Sequence, residues 1–243
     1  MKHSLGTVGV CLPVSFTSTP STDLQRQAVA RLEEAGYQAT WTNEVIGKDA
    51  LVQLAVLLAA TERMVFGTCV ANIWARPAQT MHAAAAQLAQ AFPGRFVLGL
   101  GVGYPEQATS VGREFGSPLA TMRDYLDRMD DPAWPPAPDV AYPRIIAANR
   151  PKMVALAGEI ADGALPAMLP PESTAQVRRT IGPDKLLVVG VQADPDDPEA
   201  VATKVCEHRS AGADHVTLLL PVGSDFEAGI DQLEQLAPAV VSC

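Results

Sequence analysis

A chain of 243 residues, 48% hydrophobic and 19% charged, carries enough apolar material for a large buried core, in one large domain or two small ones. Its formal net charge of −9 excludes the basic surface that nucleic acid recruits, without identifying any partner.

Strand and helix signals alternate in chain order. The apolar run 7–13 reads as a first strand and is far too short to span a membrane. Thr22 or Asp23 caps the helix that follows, and Gly36 ends it. Segment 39–43 is a second strand, 49–62 a helix apolar over a wide face, and 63–72 a third strand. The helix over 77–92 begins at Pro77, where the missing N–H costs nothing. A fourth strand over 95–101 leads to a helix over 121–129, and the proline-rich 130–143 reads as a surface connection. Strands then follow at 144–149, 163–169, 185–193 and 215–221, with helices at 151–162, 171–182, 198–212 and 224–241.

Eight strand–helix units with near-continuous apolar strands predict an α/β protein with a parallel sheet covered by helices. Eight is the number that closes a (β/α)8 TIM-type barrel, typically about 250 residues long. A doubly wound open sheet is the competing arrangement. Closure needs both halves of the chain, so residues 1–243 are read as a single domain.

In a barrel the strand ends converge on one mouth, here bringing Asn43, Glu44, Asn72, Gly103, Tyr104, Asn149, Arg150 and Met168 together. Glu44 is the candidate acid or base if the mouth is apolar; otherwise it caps a turn or pairs with Lys48. Asn149 to Lys152 open a helix whose free amides suit an anion, or form only a solvated basic start. Gly223, Ser224 and Asp225 follow the last strand where many barrels bind phosphate, although Asp225 opposes an anion. Arg76 either reaches a ligand or pairs on the surface. His3, His82, His208 and His215 have no Ser or Cys partner that would form a triad, and no metal-ligand spacing is present. Cys11, Cys69, Cys206 and Cys243 are widely scattered and read as reduced thiols in a cytoplasmic chain.

The stretch "GLGVGY" at 99–104 is not a dinucleotide fingerprint, because its third glycine comes one position early and it ends the fourth strand. Two readings stay open. Its glycines either relieve crowding and permit a turn, or they leave bare backbone for a flat or phosphorylated ligand.

The blocks "PGRFVLGLGVG" and "PKMVALAGEIADG", with "TCVANIWARPAQTMH" before them, resemble the bacterial luciferase-like superfamily, in particular its coenzyme F420-dependent oxidoreductase branch. The resemblance implies a luciferase-like barrel with a deazaflavin ring across the mouth, FMN being the alternative cofactor. It implies a bulge in the third strand with a non-prolyl cis peptide at Cys69–Val70, behind the ring. Asn43, Asn72, Gly101, Val102, Gly103 and Tyr104 are then expected beside the cofactor, and Asn149 and Arg150 near a phosphate. Glu44 takes the position where relatives carry an acidic residue often followed by histidine, but Val45 follows here. The connection after the seventh strand lacks the insertion that relatives carry, which implies a shallower pocket. The resulting expectation is hydride transfer between F420 or FMN and a small organic substrate. A non-catalytic cofactor-binding homologue is the alternative. A homodimer is a further implication of the resemblance, with neither nucleic acid nor membrane as partner.

Overall fold

The computed structural model describes residues 5–15, 18–45 and 47–241; His3 and Cys243 lie outside them. The strands are β1 (Val8–Cys11), β2 (Ala39–Thr42), β3 (Val65–Thr68), β4 (Ala71–Asn72), β5 (Phe96–Gly101), β6 (Arg144–Ala147), β7 (Gly163–Leu165), β8 (Leu186–Gln192) and β9 (His215–Leu219). The helices are α1 (Thr22–Glu34), α2 (Ala50–Ala59), α3 (Ala78–Ala91), α4 (Pro105–Ser110), α5 (Pro118–Met129), α6 (Pro151–Ile160), α7 (Pro171–Ile181), α8 (Pro198–Ser210) and α9 (Phe226–Val240).

All pairings are parallel, and two of them decide between barrel and open sheet. β1 pairs with β9, and β3 pairs with β5, so the sheet has no free edge at either place. β3 and β4 are two pieces of one barrel strand, so the closed barrel has eight strands, with the helices outside them. The expected continuous strand over 63–72 is therefore broken. The reason lies in the register. Gly67 pairs with Val97, but Ala71 pairs with Leu100. Four steps along one strand answer three along its neighbour, which is a one-residue bulge centred on Cys69 and Val70. The Cys69–Val70 peptide is cis, as the resemblance implies.

Burial follows from alternation along each strand. Cys11, Trp41, Val65, Val97, Ile145, Leu165 and Val188 point into the barrel. Val10, Phe66, Leu98, Ile146 and Leu187 point outward against the helices. Trp41 plugs the interior, and a Cβ on Gly67 would lie 2.3 Å from its ring. At the closed end, His215 is wholly buried. Its Nε2 lies 3.0 Å from the Trp41 indole nitrogen and its Nδ1 3.0 Å from the Gly6 carbonyl. The indole can only donate and the carbonyl only accept, so the ring is neutral with its proton on Nδ1. Burial pushes its pKa down to about 4.

The helices follow local signals. Ser21, one residue before the expected caps, accepts from the Leu24 amide, and Ala28, Val29 and Leu32 give α1 its buried stripe. Asp49, Asp197 and Asp225 cap α2, α8 and α9 in the same way. Segment 130–143 carries no regular structure and contains a cis Trp134–Pro135 bond. Cys11 and Cys69 are free, but Cys206 on α8 is disulfide-bonded, against the expectation of a reduced thiol. Scattered spacing carries no information about which cysteines the fold brings together. Among the described residues, no helix is long and apolar enough to cross a membrane.

Candidate active site at the barrel mouth

The C-terminal strand ends surround a cavity of about 400 Å³. Its walls are largely apolar, with Leu12, Pro13, Val14, Val45, Val70, Met168 and Leu219 among them. Of the residues expected at the site, Asn43, Glu44, Cys69, Val70, Asn72, Gly101, Gly103 and Tyr104 line it. Val102, Asn149 and Arg150 do not. Beside it, a second cavity of about 530 Å³ lies between the β1–α1 and β2–α2 connections. Pro13, Val14 and Val45 border both, so the two cavities share a wall, and the second adds Gln25, Lys48, Asp49 and Gln53.

The strand bulge is clamped from both sides. The Thr68 hydroxyl donates to the Gly99 carbonyl at 2.6 Å and accepts from the Gly99 amide at 2.8 Å. The Cys69 amide donates to the Thr42 carbonyl, and the Glu44 amide to the Val70 carbonyl, tying the bulge to the end of β2. This arrangement resolves the glycine question. A Cβ on Gly99 would lie 2.0 Å from the Thr68 carbonyl oxygen, and one on Gly101 would lie 2.3 Å from Val70 Cγ2. Gly103 turns the chain at φ +60°. The first two glycines are therefore bare because the bulge packs onto them, while Gly101 and Gly103 still border the cavity. Crowding and an open mouth are one feature.

Glu44 is held from several directions. Oε1 accepts from the Ala50 amide at 3.2 Å, and Oε2 accepts from the Asn72 amide at 2.8 Å. The Arg76 guanidinium reaches both oxygens, and it also reaches Asp49 at 2.9 Å. The Glu44 and Arg76 side chains are only 4% and 10% exposed, so this ion pair is shielded from water. Burial disfavours the Arg76 charge, but the hydrogen bonds and charges of Glu44 and Asp49 outweigh it and hold the pKa above its usual value. The geometry joins the start of α2, the end of β4 and Arg76. Lys48 does not pair with Glu44; its Nζ donates to Thr42 Oγ1 at 2.8 Å and Asn43 Oδ1 at 3.0 Å. Burial lowers its pKa, against the opposing pull of Cys11, Cys69 and Glu44.

The phosphate candidates separate. Asn149 is occupied by both backbone groups of Ala167, at 2.9 and 3.1 Å. Arg150 is exposed at the start of α6, which has no side-chain cap. At the other candidate, Asp225 itself takes the Ala228 amide of α9, so that helix start is filled by a carboxylate. Among the described residues, the histidines stand apart from the mouth: His82 meets the Tyr142 hydroxyl and His208 meets Thr174. Sequence reasoning missed the clamp by Thr68, the pairing of Cys11 with Cys69, and the position of Lys48. The first two depend on neighbours far apart in the chain, whereas Lys48 turns back onto Thr42 and Asn43, close by in the chain.

Comparison with known proteins bears on the fold and the family. A coenzyme F420-dependent secondary alcohol dehydrogenase, solved with an F420-acetone adduct, superposes with a TM-score of 0.75 at 17% identity, covering 96% of this chain and 98% of that one. The FMN-bound oxygenating component of 3,6-diketocamphane monooxygenase from Pseudomonas putida gives 0.73 at 12% identity, with 98% of each chain covered. These likenesses concern the fold. A proposed coenzyme F420-dependent oxidoreductase of Mycobacterium tuberculosis is 31% identical over 177 residues, 60% of this chain. The chain spans about half the length of that curated relative, 51% of it being covered. The model of the luciferase-like monooxygenase family matches residues 7–182. The chain belongs to the luciferase-like monooxygenase family.

Proposed function

We propose that the protein is an oxidoreductase that moves a hydride between a flavin-type cofactor and a small organic substrate. Coenzyme F420 is the preferred cofactor and FMN the alternative. The observation that carries this reading is the apolar mouth cavity walled by the bulge at Cys69 and Val70. Its volume lies within the range that holds small-molecule ligands, and Glu44 and the side-chain oxygens of Asn43, Asn72 and Gln107 are already engaged by the protein. Such a site fits a planar ring held by shape and backbone, which leaves redox chemistry to the cofactor. When bound, that cofactor supplies hydride transfer.

The chain's own residues then have separable tasks. Val70, seated on Gly101, forms the back wall. Glu44 holds the Asn72 backbone and Arg76 in place. A proton moved onto it would displace one of its donors, so it is read as a positioning residue rather than the acid or base. Lys48, half-buried and facing the adjoining cavity, is the group suited to give or take a proton there. Arg150 and the uncapped first turn of α6 suit an anionic tail, while Asn149 fixes the neighbouring loop. The names of the relatives supply the cofactor preference, since F420 appears in two of the three cited and FMN in one.

The test is anaerobic incubation of the reduced-cofactor complex with a panel of small ketones, aldehydes and enones. Substrate-dependent return of the oxidised cofactor's absorbance is expected. Stoichiometric binding without oxidation across the panel would favour a non-catalytic cofactor carrier. The short connection 193–197 between β8 and α8 is the feature that favours this second reading, because it adds no wall to the pocket.

A further inference from the structure

The mouth holds a pair of sulfur nucleophiles that the proposed hydride transfer does not use. Cys11 ends β1, and Cys69 sits in the bulge that continues β3. They occupy alternate barrel strands, whose inward side chains share one layer. Their Sγ atoms are 3.0 Å apart, in hydrogen-bonding contact. Both border the 400 Å³ cavity, Cys69 being the more exposed and Cys11 nearly covered. Neither takes part in another disulfide.

We propose that Cys11 and Cys69 form a redox-active dithiol that reacts with hydrogen peroxide entering the mouth cavity and closes to an intramolecular disulfide. The two sulfurs have distinct roles. Either sulfur can donate across this contact. With Cys69 as the donor, the bond and the nearby positive charge of Lys48 lower the Cys11 pKa against the effect of burial. The same bond and burial raise Cys69. In that arrangement Cys11 attacks and Cys69 resolves; the reverse order ends in the same disulfide, and the single-serine variants distinguish the two. The charged groups facing the pair are Lys48, from the β2–α2 connection, and Glu44, whose charge is engaged by Arg76.

In the first step the Cys11 thiolate attacks one peroxide oxygen. An S–O bond forms, the O–O bond breaks, and the leaving hydroxide takes up the thiol's proton to become water. Cys11 is now a sulfenic acid. In the second step the Cys69 sulfur attacks Cys11. The S–S bond forms, the S–O bond breaks, and the departing hydroxide leaves as water with the Cys69 proton. Two thiols lose two electrons, and one peroxide becomes two waters. The sulfurs need to approach by about 1 Å to reach disulfide length. Nothing lies between them, as their hydrogen bond requires.

The experiment uses the full chain without added cofactor, so its outcome is independent of the hydride-transfer reading. Protein is treated with one equivalent of hydrogen peroxide, alkylated, digested without reductant and mapped by mass spectrometry. The expected result is a joined peptide pair carrying Cys11 and Cys69, two hydrogens lighter than its parts and separated by reductant. In Cys69→Ser the sulfenic acid on Cys11 persists and is trapped by dimedone; in Cys11→Ser, Cys69 stays alkylatable. Recovery of both cysteines fully alkylated from the treated wild-type chain would overturn the proposal. So would their separate oxidation to sulfinic acid with no joined peptide. The wild-type map decides the matter even where a serine variant fails to fold.

Discussion

At the scale of single residues, four side chains carry the account. His215 is neutral in the fold, with a pKa of about 4 against an ordinary value near 6.5. Its stabilising contribution is therefore fully present above pH 6.5 and declines as pH falls from there towards 4, because only the unfolded chain takes up the proton. The shift corresponds to about 3 kcal/mol over that window. Denaturant melts at stepped pH should show His215→Gln flattening this slope, whatever its effect on stability at neutral pH. Glu44 and Arg76 are a shielded pair, and removing one partner strands the other. Glu44→Ala is expected to cost about 3–5 kcal/mol of folding stability, read by urea denaturation. A loss below 1 kcal/mol would show that the pair does not hold the mouth together. Lys48→Ala is expected to leave cofactor affinity within a few-fold and to lower turnover by about 10²-fold, removing one limb of the pH–rate profile. Equal losses in binding and turnover would assign Lys48 to structure alone.

At the scale of elements, the bulge and the β5 glycines form one unit. Gly99→Ala puts a methyl against a backbone oxygen that cannot move without breaking the Thr68 clamp. Gly101→Ala meets the movable tip of Val70 instead. Thermal melts should therefore rank Gly99→Ala well below Gly101→Ala, with the former losing several kcal/mol. Gly101→Ala should mainly alter cofactor affinity, by displacing the back wall. Equal melting temperatures for both variants would contradict the clamp. This unit also marks the limit of what the sequence reveals. Apolar runs and caps located every barrel strand and its helix to within a few residues, because those signals are local. The bulge is a mismatch of register between two strands about thirty positions apart, and no single strand encodes it. Ser21 shows the same limit on a smaller scale. Three adjacent residues can all cap, and only the path of the chain selects one.

At the scale of the whole molecule, closure is the central fact. β1 meets β9, and Arg31 on α1 meets Asp231 and Glu234 on α9, so first and last units are fastened both inside and outside. The outer ion pairs are partly exposed and contribute little, while the sheet pairing and buried layers dominate. If residues 1–243 act as one domain, unfolding followed by far-ultraviolet circular dichroism and by tryptophan fluorescence should coincide in one transition. Separated transitions would divide the barrel into two units. The eightfold alternation was legible in the sequence because each unit announces itself. The chemistry of the mouth was less so, since it arises where the ends of distant strands meet. Glu44 was visible as a carboxylate at a strand end, but the donors that occupy it come from Ala50, Asn72 and Arg76. The measurement that bears most directly on the account is equilibrium titration of the full chain with oxidised coenzyme F420 and, separately, with FMN, followed by absorbance and fluorescence. The account predicts saturable one-to-one binding of at least one of them at micromolar concentration, weakened in Gly101→Ala. Absence of binding to both would contradict it.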